Sequence, residues 1–367
     1  MGGSQMNTIK VTPRIPEGLA AHDPKAAGGH LPICRAEGRR WVPWSAVGKL
    51  AAGMLLAWLG PMGIESSAFA QFKQERTKGC RLGEWQTFYW QAGLIIQATD
   101  APCKGIEAYV PVPSDWPEQE VRVAKEDVSK SVKMDYITAD GDVRVMVIRI
   151  LHLPPGEEAK ALVTFEIRRC SLLEPENPAL YRVPNKKKLD RKILPYLGAS
   201  PYIDPRNAKI RALAQQIGQD KKTAWEQVEA LYDYVREKIQ QERGPLKGPL
   251  GALKEGKGNH EDMINTFVAL CRAKEVPART VWVPGHAYAE FYLEDDEGKG
   301  HWFPCQVAGN RAFGQMPDRT PILQKGDSFR PPYNKRDVQR FMAVHLSIVD
   351  ADAPPKYKFV RQLVSAP

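Results

Sequence analysis

Apolar positions along this chain fall into three stretches with different spacing. From Trp85 to Cys170 they alternate with polar ones in short runs, Ile106 to Pro113, Val132 to Thr138, Val143 to Leu151 and Ala161 to Arg169. A period of two is what a half-buried strand requires. Ala139-Asp140-Gly141-Asp142 separates two of these runs, and its Asp-Gly pair predicts a hairpin. From Asn207 to Lys274 the spacing becomes helical. Asn207 to Ile217 predicts one helix, and Thr223-Ala224-Trp225-Glu226 is a capping box that opens a second. Trp225, Val228, Leu231, Tyr232, Val235 and Ile239 line one face of that second helix. Asn259-His260-Glu261-Asp262 predicts the start of another. Asn259 can cap the free backbone N–H groups, and the two acids sit well against the helix dipole. Met263, Ile264, Phe267, Val268, Leu270 and Cys271 then give it an apolar face wide enough for a buried helix, closed by Pro277. After Gly285 the period of two returns. His286, Tyr288, Glu290 and Tyr292 share one face of the predicted strand; Ala287, Ala289, Phe291 and Leu293 share the other. Asp296 to Gly300 reads as a turn, His301 to Gln306 as a second strand, and Phe341 to Val349 as a last one.

Within this pattern several short motifs occur in a fixed order: Glu261-Asp262, Phe267-Val268-Ala269-Leu270-Cys271-Arg272, Val276-Pro277-Ala278-Arg279, His286-Ala287-Tyr288-Ala289-Glu290 and Trp302-Phe303-Pro304. In order and spacing they resemble the transglutaminase-like superfamily, whose core is a papain-like thiol-enzyme fold. The resemblance implies an α+β protein: an N-terminal antiparallel β-sandwich at 80–171, then a core of helices packed on an antiparallel sheet at 201–350. Residues 172–200, with their prolines and Lys186-Lys187-Lys188, are expected to be a linker, and 351–367 a C-terminal tail. No tandem repeat is visible.

The family's chemistry uses a Cys at the helix start, a His opening the strand and an Asp on the next strand. The helix dipole and the imidazole favour thiolate, the thiolate attacks an amide carbonyl, and the carboxylate fixes the imidazole tautomer. The resemblance places His260 at the Cys position, His286 at the His position and Gln306 at the Asp position. Loss of the thiol removes the nucleophile, and the helix field that favours thiolate disfavours imidazolium. Gln306 can still hydrogen-bond His286 but carries no charge to stabilise it. The pattern points to a non-catalytic module whose cleft binds a peptide, protein or cell-envelope component. Three other functions are weighed against it. One is a hydrolase or acyltransferase acting on amide bonds through His260 or His286 as acid or base. The second is a metal site of His260 and His286 with Glu290 or His301, which no CxxC or HExxH spacing supports. The third is a purely structural or assembly domain. Taken singly, His260 is an ordinary residue at a helix start and His286 an ordinary strand histidine; only the ordered motifs join them into one site. No cofactor is expected. Trp225, Trp282 and Trp302 read as core residues rather than as a sugar-stacking surface.

At 367 residues, 43% of them hydrophobic, the chain is long enough for two domains. A formal charge of +9 favours acidic surfaces, yet no stripe of Lys and Arg interleaved with aromatics marks a nucleic-acid binder. Residues 1–38 are rich in Gly, Pro and Ala and show no period. Arg39, Arg40 and Lys49 then precede the apolar run Leu50 to Leu59, which leads to Ala68-Phe69-Ala70 before Gln71. A basic flank, a short apolar run and a small-x-small site describe a cleavable signal peptide, so the protein is expected to be periplasmic or secreted. The run is too short for a membrane span. Trp41-Val42-Pro43 fits a twin-arginine signal poorly, and the long basic region places the expected translation start further along the chain. Removal of the leader takes Cys34 with it and leaves Cys80, Cys103, Cys170, Cys271 and Cys305. Five is odd, so at least one thiol stays unpaired within the chain. Cys80 with Cys103 is the expected bridge. Cys271 reads as a small apolar filler, and Cys305 points to the strand face opposite Gln306. Edman sequencing of the native protein should begin at Gln71; residues preceding Leu50 in the mature chain would exclude cleavage at this site.

Overall fold

The computed structural model describes residues 9–11 and 78–367. Ile9–Val11 forms a short strand, β1. It is followed by β2 (Arg81–Gln97), β3 (Cys103–Pro111), β4 (Gln119–Val128), β5 (Val132–Thr138), β6 (Arg144–Leu153) and β7 (Glu158–Leu173). The helices α1 (Ala208–Gln216), α2 (Ala224–Lys238), α3 (Gly248–Glu255) and α4 (His260–Ala273) come next. A two-stranded parallel pair, β8 (Gln240–Gln241) and β9 (Lys257–Gly258), lies among them. The chain then runs through β10 (Ala278–Val283), β11 (His286–Glu294), β12 (Gly300–Gln306), β13 (Ala312–Phe313), β14 (Gln324–Lys325), β15 (His345–Ala351) and β16 (Lys356–Val364). The architecture is α+β and its sheets are predominantly antiparallel. The expected leader and its cleavage site at Ala70 lie outside the described residues. Ile9–Val11, expected to lack regular structure, instead pairs with β15, Ile9 opposite Ile348.

Two sheets, ordered β1-β15-β3-β6-β5 and β16-β2-β7-β4, contribute alternate residues to one apolar cluster. Ala92, Leu94 and Ile96 of β2, Val163 and Phe165 of β7, and Ile106, Met146, Ile148 and Leu346 of the other sheet are all buried in it. The period-two runs and the Asp-Gly turn account for β3, β5, β6 and β7, whereas β4 has no counterpart among them. Gly141 has φ +72 in that turn, and a Cβ there would meet Phe329 at 2.7 Å, so only glycine fits. The origin of the strands differs from an N-terminal sandwich with a trailing tail. Residues 345–364 return to this pair of sheets, β15 inserting beside β3 and β16 pairing along β2. The physical reason is edge closure: β2 and β3 would otherwise each present a long row of unpaired backbone groups. Residues 172–200 likewise do not hang free. Tyr181 is buried, with its ring edge-on to Phe303 at 4.7 Å, and Arg182 bridges to Glu294.

In the other half, α4 is central and packs a largely apolar face on the third sheet, ordered β13-β12-β11-β10-β14. Phe267, Val268 and Cys271 of α4 share a cluster with Ala287, Ala289, Phe291 and Leu293 of β11 and with Trp225, Leu231 and Val235 of α2. Cys305 belongs to this cluster too. The Cys80–Cys103 bridge is not formed; both thiols are free. Between them runs β2, whose 17 residues carry the chain about 50 Å. Cys80 therefore rests at Gly314 O, 3.5 Å away, while Cys103 is paired within the sheet of β3.

A set of buried charges stitches the first two sheets to the third. Lys325 Nζ lies 2.6 Å from Glu118 Oε1 and 2.6 Å from Glu290 Oε1, and Arg279 Nε donates to Glu290 Oε2 at 2.7 Å. Gln119 adds two hydrogen bonds to the Ile322 backbone. Burial alone would raise the Glu290 pKa, but Lys325 and then Arg279 overcome it and pull it from 4.5 to about 2. A folded pKa below the unfolded one stabilises the fold above pH 4.5 and loses that contribution as pH falls toward 2. In urea at pH 7, Lys325→Met should cost about 3–5 kcal/mol, because two carboxylates are left buried without their shared cation. Lys192→Met, at an exposed pair with Asp142, should cost less than about 1 kcal/mol. Equal losses for the two variants would show that the buried set does not hold the halves together.

Candidate functional site

The first turn of α4 is built by a reciprocal cap. Asn259 Oδ1 accepts from Asp262 N at 2.9 Å, and Asp262 Oδ2 accepts from Asn259 N at 3.0 Å. Asp262 does more than the dipole argument anticipates. Its other oxygen, fully buried, accepts from Lys247 N and Gly248 N, both at 2.8 Å, and so ties the start of α3 to the start of α4. This fixes His260 as the first residue of the helix. His286 opens β11 where the hairpin from β10 turns, opposite Val283. The two imidazoles face each other with ring centroids 5.1 Å apart.

Gln306 ends β12. Its carbonyl accepts from Tyr232 Oη at 2.9 Å and from Arg236 Nη1 at 3.1 Å, so α2 locks the backbone of that position. Its side chain crosses to His286, with Nε2 to Nε2 at 2.6 Å. An amide nitrogen has no lone pair to offer, so here Gln306 donates, His286 Nε2 accepts, and the imidazole proton lies on Nδ1. A carboxylate in place of the amide would have the opposite effect, since it accepts only and would draw the proton to Nε2.

Both imidazoles are driven toward neutrality. The His260 pKa is lowered to about 4, by burial first, then by His286 and by Arg340. The His286 pKa is lowered by burial, against a weaker opposing pull from Asp318. Arg340 also pairs with Glu261, the residue after His260, and its guanidinium lies 5.7 Å from the Trp282 ring. Burial raises the Glu261 carboxyl, and Arg340 opposes the rise.

His260, His286 and Gln306 are thus gathered in one place. The other sequence candidates are not. Glu290 is consumed by Arg279 and Lys325, and His301 is at the far end of the sheet, with Nε2 2.9 Å from Asp295. Among the described residues no group of three or more His, Cys, Asp or Glu side chains could hold a metal ion. Cys271 and Cys305 are fully buried. Cys271 lies eleven residues along α4 from His260, about 16 Å away, and Cys305 points to the opposite face of β12 from Gln306. Burial raises the pKa of both thiols. Asp262 as a double cap, Arg236 and Tyr232 as supports of Gln306, and Arg340 beside His260 escaped the sequence reading. Tyr232 and Arg236 are four apart on one helix, which is a usable signal; Arg340 is 79 residues from its partner Glu261 and carries none. A cavity of about 480 Å³ beside α1 and the start of α3, lined by Ser200, Tyr202, Ile210 and Leu250, includes neither imidazole.

Residues 211–307, from α1 to the residue after β12, match the family model of the transglutaminase-like superfamily. That segment is similar to a transglutaminase-like core. None of the curated proteins matches the chain. Two solved structures are similar to it. One is a proposed cysteine protease from Cytophaga hutchinsonii, 16% identical, with 77% of this chain and 92% of that one covered at a TM-score of 0.49. The other is a proposed protease from Parabacteroides distasonis, 11% identical, with 61% and 47% covered at a TM-score of 0.26.

In an NMR titration His260 should protonate near pH 4, and His286 below the ordinary 6.5. Because its folded value lies below its unfolded one, His260 should lower stability as pH falls from 6.5 toward 4. Nitrogen-15 shifts should show the His286 proton on Nδ1. A proton on Nε2 would mean that Gln306 presents its oxygen.

Proposed function

We propose that this protein is an exported transglutaminase-like module with an altered triad, whose cleft binds a peptide or another amide-bearing cell-envelope component without cleaving it. One observation carries this reading: the helix start that would present a thiol presents His260, and it faces His286 across 5.1 Å between ring centroids. A neutral imidazole there is a poor nucleophile toward an amide and has no carboxylate to stabilise the charge it would acquire. The Nδ1–H of His286 and the unprotonated nitrogen of His260 instead offer one donor and one acceptor, as a peptide group does in reverse. The two facing sheets act as a β-sandwich that holds the core from one side through Lys325 and Gln119. Among the described residues no helix is long and apolar enough to cross a membrane. Export rests on the sequence between Arg39 and Gln71.

The wild-type protein should show negligible amide hydrolysis and acyl transfer. His260→Cys with Gln306→Asp restores nucleophile and orienting carboxylate together. The double variant should gain at least about tenfold more reactivity toward iodoacetamide than the product of the single changes. A restored thiol no faster than free cysteine would show that the surrounding site no longer supports thiolate. Amide cleavage by the unmodified protein that disappears in His260→Ala would replace this function with a histidine-based hydrolase.

A further inference from the structure

The chain between β7 and α1 gathers positive charge that the rest of the fold does not neutralise. Arg182, Lys186, Lys187, Lys188, Arg191 and Lys192 fall within eleven residues, and Asp190 is the one acid among them. All six cationic residues are exposed, while Tyr181, Pro184 and Leu189 between them are buried and root the segment. Its backbone is also tied down. Arg182 pairs with Glu294 at the end of β11 through two backbone hydrogen bonds. Asn185 closes a turn under the three lysines, its carbonyl accepting from Lys188 N at 2.8 Å and its Oδ1 from Lys187 N at 3.0 Å. Lys192 N takes Asp190 Oδ1 at 2.7 Å, and Lys192 Nζ reaches Asp142 at 3.4 Å. The other five cations make no ion pair among the described residues. Three large apolar side chains stand in solvent beside them: Leu180 is 38% exposed, Val183 37% and Leu194 38%. Apolar residues scattered singly over a surface are ordinary, but here three of them share one ordered segment with the cations.

Cations held this close repel one another, and exposed apolar groups favour leaving water; the surface of an anionic bilayer relieves both. We infer that residues 180–194 dock this protein on a membrane surface rich in anionic lipid. Headgroup phosphates pair with Arg182, Lys186, Lys187, Lys188 and Arg191, while Leu180, Val183 and Leu194 enter the boundary between headgroups and acyl chains. A soluble polyanion satisfies the cations equally well but leaves the three apolar side chains in water, so lipid is the better match in charge and in hydrophobicity. The contact is peripheral, because the segment is short and its own buried residues hold it to the protein. Nothing in it depends on what the site of His260 and His286 binds.

The test is co-sedimentation of the full chain with vesicles of phosphatidylglycerol and phosphatidylcholine in equal parts, and with vesicles of phosphatidylcholine alone. Arg39 to Leu59 has basic and apolar residues of its own, so the reading is the difference between wild type and variants changed only within 180–194. Wild type should bind the mixed vesicles at least about tenfold more tightly than the neutral ones, and rising salt should weaken that binding. Each basic residue near an anionic surface contributes about fivefold in affinity. Lys186→Gln, Lys187→Gln and Lys188→Gln together should therefore weaken binding to the mixed vesicles about 100-fold. Val183→Ser with Leu194→Ser should weaken it about tenfold and leave its salt dependence in place. All five positions are exposed, so Tm should not change. In wild type, trypsin cleavage after Lys186, Lys187 and Lys188 should slow when the mixed vesicles are present, a local reading that needs no variant to fold. Four results overturn the inference. They are equal affinity for the two kinds of vesicle, a triple glutamine variant that binds as wild type does, and trypsin cleavage unaffected by bound vesicles. The fourth is a serine pair that binds as tightly as wild type, which would reassign the patch to soluble polyanions.

Discussion

The arrangement depends most on burying four charges at once. Glu118, Glu290, Arg279 and Lys325 are all less than 9% exposed, and they balance as two cations and two carboxylates. Moving any one of them out of water costs several kcal/mol, and only the presence of the other three offsets it. Glu118 comes from the turn before β4, Arg279 from β10, Glu290 from β11 and Lys325 from β14. The set forms only when the paired sheets, the central hairpin and the returning chain have met. It therefore acts as a check on assembly as well as a bond between the halves. Arg272 repeats the device at the other end of α4, held by Asp327 through both carboxylate oxygens and by the carbonyls of Ala278 and Gly198.

This rigidity matters for His260, His286 and Gln306, because each is held by a residue outside the three. Asp262 sets the start of α4, the β10–β11 hairpin sets His286, and Tyr232 with Arg236 sets the carbonyl of Gln306. Burial, His286 and the Arg340 cation together lower the pKa of the residue at the helix start to about 4. An amide at position 306 reverses the tautomer that a carboxylate would select. A single hydrogen bond of 2.6 Å thus changes what the neighbouring imidazole offers a ligand, from an acceptor at Nδ1 to a donor.

The paired sheets show how chain ends are used. Both β15 and β16 come from the last residues of the chain, and each lies along a strand from the beginning of the described segment. The arrangement satisfies backbone groups that would otherwise be exposed at two edges. It also brings Arg361 opposite Ala92 of β2.

By itself the sequence determined much of the local structure and the resemblance of its central segment to the transglutaminase-like superfamily. Period-two runs, an Asp-Gly turn and two capping signals were sufficient for β3, β5, β6, β7, α1, α2 and the start of α4, because each depends on residues within a few positions of one another. Alternation likewise put His286 on the Glu290 face of β11 and Cys305 on the face of β12 opposite Gln306. Everything that depends on distant partners was decided only by the tertiary structure. Residues 351–367 read as a tail because β16 has no meaning without β2 beside it. Cys80 and Cys103 read as a pair because nothing local reveals that β2 runs straight between them and separates them. The partners of Lys325 and Arg340 lie tens to hundreds of residues away, and no periodicity encodes a charge pair across such a span. Local chemistry is written in spacing, whereas the neutral state of the imidazoles and the pairing of buried charges arise from burial, which exists only once the chain has closed on itself.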